Sequence, residues 1–238
     1  MAESSIRNYN YHKGLIIIKK GICYIVGASK EAAEEVFFKR EDADLVIAAD
    51  GGYDALKKHN ISADILLGDF DSIDNLPEHT NIIKYPVKKD DTDTFLAFKA
   101  GFEYGYENFL IFGGTGGRFD HTFANIQLLG NIAKNGGRGF LIGDGCIMTA
   151  ICNSSITFPK DSAGFAGVFA LGENAKNVHI KGMKYTASNI NLTPYTPLGV
   201  SNEFTHENAQ ISVGDGVLLI IWHESTERFM SHVNSLLI

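Results

Sequence analysis

The chain has 238 residues, 45% of them hydrophobic, enough to bury a substantial core in one large domain or two smaller ones. Its 21 basic against 28 acidic residues leave a net charge of −7, and no Lys/Arg block presents a surface for a phosphate backbone, which argues against nucleic acid as a partner. Cys23, Cys146 and Cys152 match neither zinc-ligand spacing nor a disulfide framework, so reduced thiols in the cytoplasm are expected. The start, Met1 to Tyr11, lacks an apolar secretory core, and the run Leu15 to Ile18 stops at Lys19 far short of membrane-spanning length, so neither export nor a membrane span is expected.

In chain order, short β-favouring runs alternate with helix-like segments. The expected strands are Ile22 to Val26, Leu45 to Ala49, Ile65 to Leu67, Ile82 to Tyr85, Phe109 to Phe112 and Phe140 to Ile142. The expected helices lie near Lys30 to Lys39, Tyr53 to His59, Thr94 to Tyr104 and Phe119 to Lys134. Such alternation implies parallel strands with crossover helices. In the last helix Phe119, Phe123, Ile126 and Leu129 fall at near-helical spacing, and they are expected to pack on the sheet as core. After Gly143 the texture changes to short β runs separated by turns: Cys146 to Cys152, Ser155 to Phe158, Phe165 to Leu171, Val178 to Ile180, Ala209 to Val213 and Val217 to Trp222. The spacing therefore predicts a mostly parallel, doubly wound α/β domain over residues 1–144, followed by an antiparallel β-sandwich or barrel over residues 145–238.

Polar residues gather where these strands end. In a parallel α/β sheet the carboxyl ends of the strands open onto one shared crevice, so side chains distant in sequence converge there. Asp50 ends the run Leu45 to Ala49, and Gly51 and Gly52 after it leave room for a ligand against the backbone; a plain turn would also account for them. In Gly68-Asp69-Phe70-Asp71-Ser72 the two carboxylates stand at i and i+2, able to point the same way as hard oxygen ligands suited to Mg²⁺, or else to form an Asx turn. Asp90 and Asp91 in Asp90-Asp91-Thr92-Asp93 are explained by helix capping and the positive end of the helix dipole. Asp93 would face the same crevice as Asp69 and Asp71, and carboxylates packed that closely need a compensating cation.

The run Gly113-Gly114-Thr115-Gly116-Gly117-Arg118 sits between a strand and a helix, where its amides can cradle an anion and Arg118 adds a planar donor for phosphate. It lacks the Gly-Lys-Ser/Thr ending of a Walker loop, and Phe119 stands where the dinucleotide fingerprint needs its last glycine. Asp120 is a further candidate. His121 is left without a role, and Trp222 is expected in the core.

Taken together, these motifs resemble the thiamine pyrophosphokinase (thiamine diphosphokinase) family. The likeness rests on Ala49-Asp50-Gly51-Gly52, Leu67 to Ser72, Lys89-Asp90-Asp91-Thr92-Asp93-Thr94 and Gly113 to His121, with Gly182 to Tyr185 and Leu198 to Phe204 later in the chain. The resemblance implies an ATP-binding α/β domain, a thiamine-binding β-sandwich and a homodimer with sites in clefts between subunits. It implies transfer of the pyrophosphoryl group of ATP to thiamine, giving AMP and thiamine diphosphate, with Mg²⁺ held by Asp69, Asp71 and Asp93. Asp71, Asp93 and Arg118 would carry the chemistry. Asp50, Gly51, Lys89, Thr92, Gly114, Thr115, Arg118 and Asp120 would bind nucleotide, and Ser201 and Asn202 would lie near thiamine. The alternatives are pyrophosphoryl transfer to a hydroxymethyl pterin and a non-catalytic Mg-nucleotide sensor.

Overall fold

The computed structural model describes residues 19–29, 34, 36–68, 81–84 and 91–237. Six strands run parallel: β1 (Lys19–Val26), β2 (Leu45–Ala49), β3 (Ile65–Gly68), β4 (Ile82–Lys84), β5 (Tyr106–Phe112) and β6 (Arg138–Gly143). Their order in space is β6-β5-β1-β2-β3-β4. β2 is buried at every residue because helices cover both faces of the sheet, which is why it reads as a continuous apolar run. On one face α2 (Asp93–Glu103) and α3 (Phe119–Lys134) pack Leu96, Phe98, Leu129 and Ile132 against Cys23, Ile47 and Phe109. On the other, Leu56 of α1 (Gly52–Lys58) and Phe229 of α4 (Thr226–Leu236) meet Val26, Val46 and Phe140.

The second half of the chain does not form a sheet pair apart from the first. Asp144 (φ 55°) and Gly145 (φ 68°) make a two-residue hairpin turn of the kind that matches strand twist, and β7 (Cys146–Cys152) pairs antiparallel with β6. The sheet then continues through β14 (Val217–His223), β9 (Phe165–Ala170) and β12 (Gly199–Glu203), reaching ten strands. A separate antiparallel sheet comprises β8 (Ser155–Phe158), β10 (Ala175–Lys181), β11 (Ala187–Leu192) and β13 (Ala209–Ser212), in the order β11-β10-β13-β8. Its Phe158, Val178 and Ile211 share one core with Val168, Ile220 and Trp222 of the large sheet. One layer of the expected sandwich is thus the continuation of the α/β sheet, because periodicity marks a strand without saying which sheet it joins. Trp222 lies in the core as expected, edge-on to Phe158 at 5.2 Å.

Two expectations need correction. Residues 36–40 are not helical; the rest of the proposed helix, Lys30 to Lys39, lies almost wholly outside the described residues. In α3 the buried face runs through Thr122, Asn125, Leu128, Leu129 and Ile132, while Phe119 is 79% and Phe123 51% exposed. The first turns of α3 start beside the crevice beyond the strand ends, where no described element covers those two rings. The three cysteines form no disulfide, and no helix among the described residues is long and apolar enough to cross a membrane.

Arg138, at the start of β6, is buried, and its Nε and Nη1 have no hydrogen-bond partner among the described residues. Nη2 donates to the Ser155 carbonyl at a long 3.3 Å. Burial pushes its pKa below the ordinary arginine value, the mark of a charge that folding desolvates without compensation. Arg138→Met is therefore expected to stabilise the protein by about 1–3 kcal/mol, read as a higher denaturation midpoint. A fall in the midpoint would show that the guanidinium contributes more than it costs.

Candidate active site

The chain lays down β1 to β4 outward to one edge, then returns to the other side of β1 with β5. Such a reversal opens a crevice at the carboxyl ends of the two strands that flank it. A cavity of about 470 Å³ lies there, lined by Gly27 to Ser29 after β1, Asp50 after β2, Thr92 to Thr94 at the start of α2, the glycine loop Gly113 to Arg118 after β5, and His121 and Asn125 of α3.

The two loops at the reversal are tied backbone to backbone. The Gly27 N–H donates to the Phe112 carbonyl at 2.8 Å and the Ser29 N–H to Gly113 at 3.3 Å. A Cβ on Gly27 would stand 2.7 Å from the Gly113 oxygen, so only glycine permits that approach. Asp50 holds a left-handed backbone (φ 50°), rare for a side-chain-bearing residue, and its N–H donates to the Leu67 carbonyl at 2.7 Å. Strain of this kind persists where surrounding contacts over-determine it, and it clusters at functional sites. β3 ends at Gly68, where a Cβ would lie 3.1 Å from the Asp50 Cα.

The acidic cluster divides by partner. Asp91 accepts from Lys99 at 2.6 Å, which gives it a structural role. Thr92 caps α2, its Oγ1 accepting from the Phe95 N–H at 3.3 Å, and Asp93 opens the helix on the crevice. The structure thus brings together Asp50, Thr92, Asp93, Gly114, Thr115 and Arg118 of the expected residues. Gly51 adjoins this group as the cap of α1, its place for a Cβ 3.2 Å from Ala28. Asp69, Asp71 and Lys89 lie outside the described residues. Among those described, no cluster of three His, Cys, Asp or Glu residues is close enough to hold a metal.

Arg118 and Asp120 form a bidentate pair, Nε to Oδ1 at 3.2 Å and Nη2 to Oδ2 at 2.6 Å, with both side chains mostly exposed. The hydrogen bond from Arg118 holds the Asp120 carboxyl below the usual carboxylate range and raises the guanidinium in turn. The phosphate-type fork of Arg118 is therefore already planar and aimed, with a carboxylate in it.

Thr115 is 1% exposed, and its Oγ1 has no hydrogen-bond partner among the described residues. A buried orphan hydroxyl costs about 1–3 kcal/mol, and this one lines the crevice. Thr115→Val, close in shape, is expected to raise the ligand-free melting temperature while reducing the stabilisation that a Mg–nucleotide confers. Thermal shifts with and without nucleotide check both arms, and a lower ligand-free melting temperature would contradict the assignment.

Sequence reasoning did not single out Ser29, Asn125 or His121 as crevice residues. Asn125 carried a signal: it is polar on the face of α3 that otherwise buries Leu128, Leu129 and Ile132, a position normally apolar in a helix packed on a sheet.

Residues 39–141 match the thiamin pyrophosphokinase catalytic domain, and residues 153–218 match the thiamin pyrophosphokinase vitamin B1 binding domain. The chain belongs to the thiamin pyrophosphokinase family. Over 210 residues it is 29% identical to the thiamine pyrophosphokinase of Bacillus subtilis, covering 85% of this chain and 98% of that one. Its fold superposes on the crystal structure of the Bacillus subtilis thiamine pyrophosphokinase with a TM-score of 0.76 at 26% identity, over 87% of this chain and all of the other. The likeness to yeast thiamin pyrophosphokinase, TM-score 0.66 at 16% identity over 91% and 95% of the two chains, is one of fold. As a member with both domains of the family, the chain is an enzyme of the thiamine diphosphokinase class.

In a thiamin pyrophosphokinase the catalytic match spans β2 to β6 and holds Asp50, Asp93 and the glycine loop, whereas Ser201 and Asn202 belong to the vitamin B1 match. Ser201 is exposed on β12 with a left-handed backbone (φ 58°). Asn202 is buried and turned inward: its Oδ1 accepts from the Tyr185 N–H and its Nδ2 donates to the Tyr185 carbonyl, at 2.9 and 2.8 Å. These bonds give Asn202 the task of fixing the Tyr185 segment. β12 stands five strand positions from β5, about 24 Å at ordinary strand spacing. Within one chain the structure does not bring Ser201 and Asn202 to the crevice.

Proposed function

We propose that the protein transfers the pyrophosphoryl group of ATP to the primary hydroxyl of thiamine, in a Mg²⁺-dependent reaction that yields AMP and thiamine diphosphate. The observation that carries this reading is the crevice at the strand reversal, where a glycine loop, an orphan buried hydroxyl and Asp93 converge in a chain with both family domains. The bond formed joins the thiamine oxygen to the β-phosphorus; the bond broken joins that phosphorus to the oxygen bridging it to the α-phosphate, which leaves with AMP. The hydroxyl proton passes to solvent, and no dedicated base is needed in a transfer governed by positioning and charge neutralisation.

The residues present fit a divalent cation. Asp93 faces the crevice with Asp50, and Asp69 and Asp71 follow β3, the strand whose end adjoins Asp50. Asp69, Asp71 and Asp93 would hold Mg²⁺ and Asp50 would support them; bound there, the ion neutralises phosphate charge. The glycine loop cradles phosphate oxygens, with Gly114 and Thr115 at its centre and Thr92 and Gly51 at its rim. Arg118 exchanges Asp120 for phosphate, and Lys89 supplies a second cation.

Thiamine binding then calls for a second copy of the chain, because Ser201 stands some five strands from the crevice. The surface supports that pairing: Phe119 and Phe123 lie exposed beside Arg118, and Leu198 and Val200 lie exposed beside Ser201. Apolar groups exposed at two ends of one chain are candidates to meet in a homodimer whose sites lie between subunits. The unbridged cysteines fit a reducing cytoplasm.

Incubation with ATP, Mg²⁺ and thiamine, with all products resolved, tests the reading. AMP and thiamine diphosphate in equal amounts are expected. ADP would indicate single phosphoryl transfer, turnover of a hydroxymethyl pterin in place of thiamine would reassign the acceptor, and absence of turnover would leave a nucleotide sensor.

A further inference from the structure

Three successive carbonyls at the start of the glycine loop each meet a donor. Phe112 accepts from the Gly27 N–H at 2.8 Å, Gly113 from the Ser29 N–H at 3.3 Å, and Gly114 from the Asn125 side-chain Nδ2 at 2.8 Å. The first two donors are backbone groups that any sequence with this fold would supply; the third depends on one side chain. Asn125 is 5% exposed, on the second turn of α3. A Cβ on Gly114 would stand 2.9 Å from Asn125 Nδ2 and 2.7 Å from Leu141 Cδ1, so the loop is pressed onto Asn125 and β6 at that point.

In a trans peptide the C=O and the next N–H point in opposite directions, and the described residues contain no cis peptide. Anchoring the Gly114 oxygen on Asn125 therefore orients the Thr115 N–H to the other side and sets the path into Gly116 (φ 78°) and Gly117 (φ 57°). None of the amides of Thr115, Gly116 or Gly117 donates to another described residue. Turning the loop over would present carbonyl oxygens, the wrong sign for an anion.

We propose that Asn125 is a positioning residue for catalysis: its carboxamide locks the Gly114 peptide so that the amides of Thr115 to Gly117 are presented to the phosphates of the nucleotide. The inference rests on the reading of the crevice as the nucleotide site. It assigns to an α3 side chain a part in nucleotide affinity and none in thiamine affinity.

The test is the near-isosteric Asn125→Asp, with Asn125→Ala as a second variant that removes the donor without adding charge. At neutral pH the Asp carboxylate faces the Gly114 oxygen with no proton to share. The KM for ATP is expected to rise about tenfold in Asn125→Asp and less in Asn125→Ala, with the KM for thiamine unchanged. As pH falls the carboxyl takes up a proton and becomes a donor again, so the variant's KM for ATP should return toward wild type. Asp50, Asp93, Arg118 and His121 share the crevice and Leu141 of β6 is apolar, so the ratio to wild type at each pH removes their own titration. Melting curves and calorimetric titration with Mg–ATP accompany the kinetics. Variants that bind ATP as wild type does would overturn the positioning role alone. So would losses spread equally over kcat and both KM values in step with a lowered melting temperature. Wild-type protein that binds no Mg–ATP would overturn the assignment of the crevice itself, and the role of Asn125 with it.

Discussion

Asp93→Asn is expected to lower kcat about 10³-fold, the scale on which one preorganised charge acts on a transition state, with little change in fold. Asp93 opens α2 behind the Thr92 cap and faces the crevice, so the substitution removes a formal charge and leaves the side-chain volume and the cap hydrogen bond in place. The helix-dipole contribution of a first-turn carboxylate, which the substitution gives up, is about 0.3–1 kcal/mol. Asp71→Asn should show the same split between activity and stability, since both carboxylates are assigned to one ion. Steady-state turnover at saturating Mg²⁺, beside a melting curve, checks this. Turnover within a few-fold of wild type would remove Asp93 from the metal site and leave it as an ordinary helix-start carboxylate.

Mixing two inactive variants is expected to restore activity. If each site joins the crevice of one subunit to Ser201 of the other, Asp93→Asn disables the first half and Ser201→Arg, which sets a cation against the thiazolium, disables the second. In a heterodimer of the two, one site carries both lesions and the other carries none. Random re-association then gives activity of roughly a quarter of wild type from two dead preparations. Co-refolding followed by assay checks it, and Ser201 is exposed enough to take the substitution without disturbing the core. A mixture that stays inactive, with heterodimers demonstrated by mass, would place both halves of the site in one chain and contradict the 24 Å argument drawn from strand order.

The parallel half of the fold was legible because its physics is local. Strands buried on both faces read as unbroken apolar runs, and Leu45 to Ala49 and Phe109 to Phe112 lie inside β2 and β5. Two strands of the second half passed unread. β11 (Ala-Ser-Asn-Ile-Asn-Leu) and β12 (Gly-Val-Ser-Asn-Glu) are polar edge strands held by pairing with β10 and β9, and pairing partners are not encoded in a five-residue pattern. The terminal helix α4, in a stretch expected to be all β, also passed unread although it carried a signal: Ser225 caps it, accepting from the Arg228 N–H at 3.3 Å, and Phe229, Val233 and Leu236 recur on one face.

The candidate site was legible to the extent that chemistry sits at strand ends. Asp50, Asp93 and the glycine loop were placed together by the rule that carboxyl ends share a crevice, and the structure puts them around one cavity. Asn125 and Ser29 escaped because their roles are set by what the fold brings opposite them: a carbonyl eleven residues back in one case and a loop from another strand in the other. Phe119 and Phe123 show the converse. Their spacing fits a buried face, but they lie on the part of α3 that no described element covers.

In the proposed metal site, Asp69 and Asp71 after β3 and Asp93 after β4 would hold one divalent ion against the triphosphate in the crevice between β1 and β5, with Asp50 after β2 in support. A crystal structure with Mg²⁺ and a non-hydrolysable ATP analogue tests it most directly. The triphosphate is expected along Gly113 to Arg118, with the ion about 2.1 Å from oxygens of Asp71 and Asp93. A triphosphate bound elsewhere, or Asp69, Asp71 and Asp93 too far apart to share an ion, would contradict it.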